Sequence, residues 1–292
     1  MGRGRMRGLV GTAAMLVVLA SAPQSAAAAP PRSPSLEDAD RAWSRRAEAA
    51  QAERAAPGPV AEAIAAYEDV LDADPRNLEV IWKLQRALHY QGEFTKLSPG
   101  RRASLWERGT ELAERAIAVL HGDTPWNERD PAAVAASIED RTTAGAVHFW
   151  AAVHWGLWGE TKGALPAVRK GIAKRIRDHG VCAIELDETY ERAGPHRLVG
   201  RLHAVAPRVP FFTGWIDRDL ALRHLERAVE LAPEDLYNRL YLAEARLGLR
   251  PELRDLAILE LEAIVAAQPD PEHLVEDRRA QSLARTLLDA NR

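Results

Sequence analysis

A five-residue pattern that occurs three times at identical spacing constrains this chain more than any other feature of its sequence. The pattern begins at Ala63, Ala221 and Ala257. In each copy apolar residues follow four, seven and eight positions later, and a proline follows twelve positions later. An internal repeat of this kind predicts a fold built from stacked copies of one supersecondary unit.

The spacing within the pattern has a direct physical meaning. Residues at i, i+4, i+7 and i+8 share one face of an α-helix, so the first four positions form a packing stripe. The small alanine lets a neighbouring helix cross closely, and the larger residue one turn later fills the groove between helices. The proline ends the helix, because it lacks an N–H and its φ is fixed. The pattern is typical of the second helix in a tetratricopeptide-type hairpin.

Two fainter copies of the pattern extend the repeat. They begin at Gly109 and Arg175, with His121 and Asp187 in the position of the proline. The five starting positions are separated by 46, 66, 46 and 36 residues, whereas regular repeats of this class recur about every 34 residues. We therefore predict an all-α fold, an irregular tetratricopeptide-like helix-hairpin array (α-solenoid) that is interrupted by insertions.

Partner helices are expected between these copies. Apolar residues at helical spacing favour helices over 36–55, 78–90 and 236–247. The segment 145–158 is apolar on nearly all sides, which indicates a helix buried in the middle of the array. The Val, Ile and Thr alternation that strands require is lacking.

The first 29 residues have the layout of a secretory signal peptide. Three arginines, at positions 3, 5 and 7, form a positive start, an uncharged apolar run covers 9–20, and 21–29 is rich in small residues. The apolar run is shorter than the roughly 20 residues that span a bilayer. We therefore expect cleavage rather than a permanent membrane anchor.

The domain organisation and the destination follow from this assignment. We divide the chain into a signal peptide (1–29), a linker (30–35) and a single tetratricopeptide-like helical domain (36–292). Cys182 is the sole cysteine, so the chain has no lipidation cysteine at the start of the mature protein, which we expect to be periplasmic or secreted. Loss of the three arginines changes the formal net charge from −3 to −6, and this acidic balance argues against nucleic-acid binding.

Sequence motifs of enzymes and of metal sites are lacking. No nucleophile elbow, phosphate-binding glycine loop or H-E-x-x-H zinc signature occurs in the chain. His148 and His154 are six residues apart and His196 and His203 are seven apart, so neither pair makes a zinc signature. We predict no catalytic residue, no metal and no cofactor, and a binding or scaffolding protein rather than an enzyme.

Aromatic residues concentrate in the middle of the chain. Phe149, Trp150, Trp155 and Trp158 fall within ten residues. Two interpretations remain open for this cluster, core packing between helix pairs or the wall of a ligand pocket. The second stays open because a buried tryptophan needs a partner for its N–H and because ligand pockets are lined by aromatic side chains with a few polar groups.

Two further segments stand out by composition. A basic stretch comprises Lys162, Arg169, Lys170, Lys174, Arg175 and Arg177. It is compatible with a solvated helix face or with a surface for an anionic ligand or acidic partner. The loop 206–215 combines two prolines with three aromatic residues, so we expect it to pack back on the array or to contact a partner.

Three segments of the sequence resemble the T-component family of TRAP transporters. The aromatic, glycine-punctuated segment 148–160 (HFWAAVHWGLWGE) is similar to a helix of that family. The segment 194–203 (GPHRLVGRLH) is similar to its G-P-x-R-x-x-G-R-L run. The repeat at 225–233 (LERAVELAP), continued by YLAE at 241–244, is shared with many tetratricopeptide proteins. The resemblance extends over residues 60–270.

The resemblance implies a function as well as a fold. Members of the family are periplasmic helical proteins that accompany a solute-binding protein and feed a secondary transporter of small organic or hydrophobic ligands. The resemblance thus implies a solute-binding protein as partner, a cavity for a small hydrophobic ligand, and a homotrimer. The candidate ligand or partner contacts are Tyr90, Phe149, Trp150, Trp155, Trp158 and Arg201. Some members are lipoproteins, and this chain departs from them.

A second hypothesis does not need a small ligand. Tetratricopeptide-like arrays commonly bind other proteins along their helix faces. The alternative function is therefore a generic tetratricopeptide scaffold for protein–protein interaction in the cell envelope, with another envelope protein as its partner.

Overall fold

The computed structural model describes residues 1–2, 35–122 and 125–291. By its internal contacts the chain divides into Met1–Ser33 and Pro34–Arg292, and the fold given below is that of the second unit. The predicted signal peptide lies outside the described residues except for positions 1 and 2, and the predicted linker does so except for Ser35. The Ser35 side chain accepts a hydrogen bond from the Asp38 backbone N–H and so caps the first helix.

The prediction of an all-α fold is confirmed. Within residues 35–122 and 125–291 the chain forms thirteen α-helices and no β-strand. They are α1 (Leu36–Ser44), α2 (Pro57–Ala73), α3 (Leu78–Phe94), α4 (Pro99–His121), α5 (Pro131–Ala136), α6 (Arg141–Lys162), α7 (Ala164–Arg169), α8 (Ile172–Asp187), α9 (Tyr190–Val205), α10 (Arg218–Leu231), α11 (Leu236–Leu249), α12 (Arg254–Ala266) and α13 (Leu274–Ala290). Short 3-10 turns cover Trp126–Glu128, Pro251–Leu253 and Pro271–His273.

Local sequence signals set the ends of these helices. The side chains of Asn77, Ser98, Asp140 and Asp235 each accept a hydrogen bond from a backbone N–H in the first turn of α3, α4, α6 and α11. Such N-caps satisfy donors that the helix itself leaves unpaired. At the other end, α2, α10 and α12 each stop two or three residues before the proline of their repeat.

The repeat positions of the sequence are equivalent in their burial. The alanines that begin the three strong copies and the larger residues one turn later are all 0 % exposed, and they are Ala63, Tyr67, Ala221, Leu225, Ala257 and Leu261. These side chains therefore bury the same face of their helices, as the spacing predicted. A buried face of this kind supplies most of the stability of a helix in water.

The helices form two layers that follow the sequence order. The five copies of the pattern lie on α2, α4, α8, α10 and α12, which we call the B layer. The helices α3, α6, α9, α11 and α13 form the A layer, in which each helix contacts the next one. Every B-layer helix from α4 onward packs between two A-layer helices, while α2 packs between α1 and α3.

The A layer is closed by a contact between its last helix, α13, and its first helix, α3. Val275, in the first turn of α13, packs in one buried cluster with Val60, Tyr90 and Phe94. Two ion pairs connect α13 with the segment between α1 and α2, with Arg46 Nη2 3.4 Å from Glu276 Oε1 and Arg279 Nη1 2.9 Å from Glu53 Oε1. The packing of Val275 therefore joins α13, the last helix of the A layer, to α3, its first helix.

The prediction of one helix over 36–55 is wrong. Helix α1 ends at Ser44, and Ala49 and Ala52 adopt positive φ values of 55° and 49°. The segment instead caps the end of α3: the backbone N–H of Ala55 donates to the Phe94 carbonyl at 2.8 Å. Tertiary contacts with α3 have overridden the helix propensity of this alanine-rich segment.

The longest interval between repeats, of 66 residues, is filled by inserted elements. The turn Trp126–Glu128 and helix α5 lie between α4 and α6, and α7 lies between α6 and α8. The turn Trp126–Glu128 and the end of α7 lie at the candidate functional site. None of the helices in the described residues is long and apolar enough to cross a membrane.

Candidate functional site

A cavity of about 300 Å³ opens between α4, α6 and α8, beside the inserted turn Trp126–Glu128 and the end of α7. This volume is at the lower end of the range for small-molecule sites, about 300–1,000 Å³. Trp126 and Trp155 supply aromatic walls, and Lys170, Lys174 and Arg175 bring three positive charges to its lining. Trp155 of the aromatic cluster and three residues of the basic stretch thus meet at one site.

The two tryptophans of the cavity are held by different contacts. Trp155 is 3 % exposed and belongs to α6. Its ring lies 4.5 Å from the guanidinium carbon of Arg175, a cation–π distance. Trp126 comes from the inserted turn and stacks on His121, with 5.6 Å between ring centroids. Both rings are therefore fixed by neighbours and belong to the lining of the cavity.

The charges around the cavity do not balance. Asp178 accepts hydrogen bonds from both Lys174 and Arg177, so its carboxylate is already compensated. Within the described part of the chain Arg175 forms one ion pair, with Glu114 at 3.9 Å, where both side chains are half exposed and the pair is weak. Lys170 forms no ion pair with any residue in the described ranges, and its Nζ lies 4.8 Å from the Trp158 ring. The lining therefore carries an excess of positive charge.

The start of helix α8 adds to this positive potential. Gly171 is its N-cap and lines the cavity. The backbone of Gly171 is left-handed, with φ 62° and ψ 34°, a conformation that glycine adopts without steric cost. No side chain accepts hydrogen bonds from the first turn, so these N–H groups leave a partial positive charge beside Arg175.

Three histidines from three different helices form a continuous row behind Trp126. His121 Nε2 lies 3.1 Å from His148 Nε2, and His148 Nδ1 lies 3.0 Å from His179 Nδ1. His148 is 0 % exposed and uses both ring nitrogens, while His179 lines the cavity. We call these residues the histidine row. Trp126 contacts each member, most closely His179 at 4.4 Å between centroids.

The histidine row is electrically neutral at physiological pH. Burial, with the neighbouring His179 and His121, lowers the pKa of His148 well below its usual value. Burial and the charge of Arg175 lower the pKa of His179 to about 3. Partial burial and Arg129 also lower the pKa of His121. In neutral imidazole one nitrogen donates and the other accepts, so the row can be hydrogen bonded without a net charge.

The geometry of the row does not form a metal centre. Its nitrogen contacts run end to end and do not converge on one point. Among residues 35–122 and 125–291, no group of three or more His, Cys, Asp or Glu side chains is arranged to hold a metal ion.

The candidate contacts chosen from the sequence do not share one groove. Trp155 lines the cavity, and Trp158 lies beside it, 6.0 Å from Trp155 between ring centroids. Phe149 and Trp150 instead lie in the core, each 5 % exposed. The Trp150 indole N–H donates to the Tyr190 hydroxyl at 2.9 Å, which meets the polar requirement of a buried tryptophan.

Tyr90 and Arg201 lie away from the cavity. Tyr90 is 2 % exposed and packs where α13 closes against α3. Arg201, on α9, pairs with Glu244 at 2.6 Å and lies over the ring of Tyr241 at 4.7 Å. These contacts bridge α9 and α11, so both residues take part in packing between A-layer helices.

Sequence reasoning missed most of the histidine row and one tryptophan. His148 was singled out, but its partners His121 and His179 are 27 and 31 residues away on other helices. Trp126 lies in the longest interruption of the repeat. An aromatic residue in an insertion between two repeats was the one available signal, because an inserted segment must pack on the array or meet a ligand.

Comparison with known proteins adds no relative to this picture. No protein-family model matches the chain, and no curated protein matches its sequence. The geometry of the cavity is therefore the basis for a functional proposal.

Proposed function

We propose that this chain is a binding protein that holds a small organic molecule with a flat apolar body and a negatively charged group. The observation that carries the proposal is the cavity whose lining combines Trp126 and Trp155 with an excess of positive charge. Aromatic walls supply apolar contact area for a flat body. Arg175 and the uncapped start of α8 would receive the anionic group.

The same residues support binding rather than catalysis. The lining includes no serine, threonine or cysteine as a nucleophile. Cys182 is 0 % exposed, and burial together with nearby carboxylates raises the pKa of its thiol to about 12, so the reactive thiolate is absent near pH 7. Neutral histidines beside a cavity are compatible with recognition of a ligand.

A role as accessory protein of a TRAP-type uptake system is the biological context that we propose for this binding. The segments 148–160 and 194–203 support it by their resemblance to the T-component family, and the signal-peptide layout of 1–29 supports export to the periplasm. The chain would deliver its ligand to a solute-binding protein, or receive it from one, as a monomer or as the trimer that the family implies.

Calorimetric titration with 1-naphthoate tests ligand binding directly. We expect heat of binding with the wild-type protein and its loss in Trp126→Leu, because half of the aromatic wall is removed. Trp43→Leu is a matched control, since Trp43 is also half-buried and packs on an aromatic ring, that of Tyr90, away from the cavity. Wild-type protein that gives no heat with naphthoate, indole-acetate or phenyl-propanoate would contradict the proposed ligand.

A protein-interaction scaffold is the second candidate function, and the loop 206–215 favours it. Phe211 and Phe212 are 103 % and 59 % exposed. Hydrogen bonds within the loop fold it beneath them: Thr213 Oγ1 accepts from the Val209 N–H at 2.8 Å and donates to the Pro207 carbonyl at 2.5 Å. Phe211 also adopts a positive φ of 68°, a cost that a functional contact would explain.

Co-purification from the exported fraction, with mass spectrometry of the bound proteins, tests the scaffold. We expect a solute-binding protein or another envelope protein that is lost in the double variant Phe211→Ser, Phe212→Ser. Leu259→Ser is a matched control, because Leu259 is 63 % exposed on α12. Equal recovery of the partner with the double variant and with wild type would rule out the loop as its contact.

A further inference from the structure

The histidine row connects the cavity with the outside of the array. His179 lines the cavity, His148 is fully enclosed, and His121 is half-buried at the end of α4. Because His148 has no access to water, a proton can reach it only through its two neighbours. The contacts of 3.1 and 3.0 Å between ring nitrogens are short enough for hydrogen bonds along the whole row.

The two ends of the row are available for protons. Nδ1 of His179 is engaged by His148, and its opposite nitrogen, Nε2, has no hydrogen-bond partner among the described residues. Nδ1 of His121 likewise has no partner among them. One N–H per neutral ring then allows two arrangements, in which every hydrogen bond of the row points toward His179 or every one points toward His121.

We propose that the ligand is an organic acid bound as its anion, and that its binding is coupled to the uptake of one proton by the histidine row, held on His179 next to the anion. This inference rests on the proposed function, because it concerns the ligand of the same cavity. Proton uptake makes the site selective for anions over neutral molecules of the same shape, and it makes the affinity for the ligand depend on pH.

The proton balance of this step closes without any further reactant. Before binding, the N–H groups point toward His179, from His121 Nε2 to His148 Nε2 and from His148 Nδ1 to His179 Nδ1. A proton from water adds to His121 Nδ1, and each ring passes its inner proton to the next. Afterwards His179 carries protons on both nitrogens and donates Nε2–H to the anion, while both hydrogen bonds of the row point toward His121.

The charges that face the row determine the direction of this coupling. On the cavity side α8 contributes Lys174, Arg175 and Asp178, α7 is followed by Lys170, and α4 contributes Glu114. Asp178 is compensated by Lys174 and Arg177. Arg129, after the inserted turn, acts on His121, and Asp123 lies outside the described residues.

Positive charge therefore dominates around the histidine row when no ligand is bound, and it disfavours the addition of a proton to the row. The charge of Arg175 is one of the causes that hold the pKa of His179 low. An anion between Arg175 and His179 offsets this repulsion and attracts the imidazolium directly, so the pKa of His179 rises on binding. Protons are then taken up between the pKa values of the free and the bound protein, and affinity falls as pH rises through that window.

Titration calorimetry in two buffers of different ionisation enthalpy measures the uptake. The probe is 1-naphthalenesulfonate, whose sulfonate stays ionised, so any proton taken up belongs to the protein. At about pH 5.5 we expect net uptake approaching one proton per site, with affinity falling up to about tenfold per pH unit above it. His179→Gln should abolish the uptake, because glutamine does not titrate.

His148→Phe keeps an aromatic ring but removes the nitrogen that accepts from the His179 imidazolium, so we expect reduced uptake in this variant. His224→Gln is a control at a second histidine pair, in which His196 Nδ1 lies 2.8 Å from His224 Nδ1, and it should keep wild-type uptake. Far-UV circular dichroism and the thermal midpoint identify a variant that fails to fold, and the wild-type measurement decides the proposal by itself.

The possible outcomes separate this inference from the proposed function. Binding of naphthalenesulfonate with identical heats in both buffers overturns the proton coupling and leaves the binding function intact. Equal affinity for naphthalenesulfonate and for neutral naphthalene-methanol overturns the assignment of an anionic ligand. Failure of every aromatic probe to bind, acidic or neutral, overturns the proposed function itself.

Discussion

The C-terminal repeats and the middle of the chain use the same helix pairs but differ in what lies between the helices. Around α11, α12 and α13 the interface is filled by aliphatic side chains such as Leu240, Leu261 and Ile264, all nearly or fully buried. Between α4, α6 and α8 the interface holds the histidine row and two tryptophans. The first region includes the 36-residue interval between repeats and the second spans the 66-residue interval.

This difference shows how a repeat protein separates stability from binding. An interface of aliphatic side chains gains free energy with every buried methylene group. Buried imidazoles gain much less and are tolerated only when they are hydrogen bonded. The regular repeats therefore supply stability, while the interrupted repeat carries polar groups and a cavity that a stable core alone would not need.

Acid should destabilise the middle of the chain more than any single substitution. His148, His154 and His179 have lowered pKa values in the folded protein, about 4 for His154 and about 3 for His179, against 6.5 when unfolded. The unfolded chain binds more protons below pH 6.5, so stability is lost as pH falls from 6.5 toward 3. Urea unfolding should show a loss of roughly several kcal/mol by about pH 4.5.

Buried carboxyl groups act in the opposite direction. Burial raises the pKa of Glu93 and of Glu276, which adds stability as pH falls through their folded values. A His154→Gln variant isolates the histidine contribution, because it should lose less stability than wild type over the same pH range. An unfolding free energy that is constant between about pH 6.5 and 4.5 would show that the histidines are not held neutral by the fold.

Leu261→Ala tests the regular region. Leu261 is 0 % exposed in the aliphatic cluster of α11, α12 and α13, so its truncation should cost about 2–5 kcal/mol of unfolding free energy. Leu259→Ala on the same helix, at a side chain 63 % exposed, should change it by about 0.5 kcal/mol or less. Naphthoate affinity should be unchanged in both variants, and a loss of affinity in Leu261→Ala would mean that the two regions are coupled.

Gly109→Ala tests the close packing next to the site. A Cβ at this position of α4 would lie 1.9 Å from His154 Nδ1, and His154 is held by the Gln85 carbonyl 2.9 Å from its Nε2. We expect a loss of about 1–3 kcal/mol in denaturant unfolding. Gly100→Ala, also on α4, meets nothing within 4 Å and should be neutral or slightly stabilising; equal behaviour of the two variants would contradict this close contact.

Arg175→Gln should have the smallest effect on stability and a large effect on the ligand. The side chain is 46 % exposed, so we expect a change within about 0.5 kcal/mol in unfolding free energy. Affinity for naphthoate should fall about tenfold, equivalent to about 1.4 kcal/mol. Arg108→Gln is the control, because Arg108 is 42 % exposed on α4 and pairs with Glu68 and Glu111; an equal loss of affinity in both variants would indicate only a general charge effect.

Much of the fold could be predicted from the sequence, because it depends on local patterns. The repeat starting at Ala63, Ala221 and Ala257 assigned the helices of one layer, and prolines marked where they end. The helix expected over 36–55 was wrong because its second half caps α3, a contact that no local pattern encodes. Closure of α13 on α3 was missed for the same reason.

The site was predictable only in pieces. Trp155 and the basic stretch that contains Arg175 were recognised separately, as a pocket wall and as an anion surface. Their combination with Trp126 and His179 depends on how the inserted turn folds against α8, which is a tertiary contact across the longest interruption. Spacing along the chain carries no information about such contacts.

The contact between α3 and α13 limits where a chain of this kind can gain or lose whole hairpins. Open stacks of hairpins can gain or lose a unit at either end, because the terminal face accepts another copy. Here Val275 of α13 and Tyr90 of α3 lie in one buried cluster, so the faces that would receive another hairpin are already in contact with each other. Growth or shortening by whole hairpins must therefore happen at internal positions, and the segments that carry α5 and α7 lie in such a position.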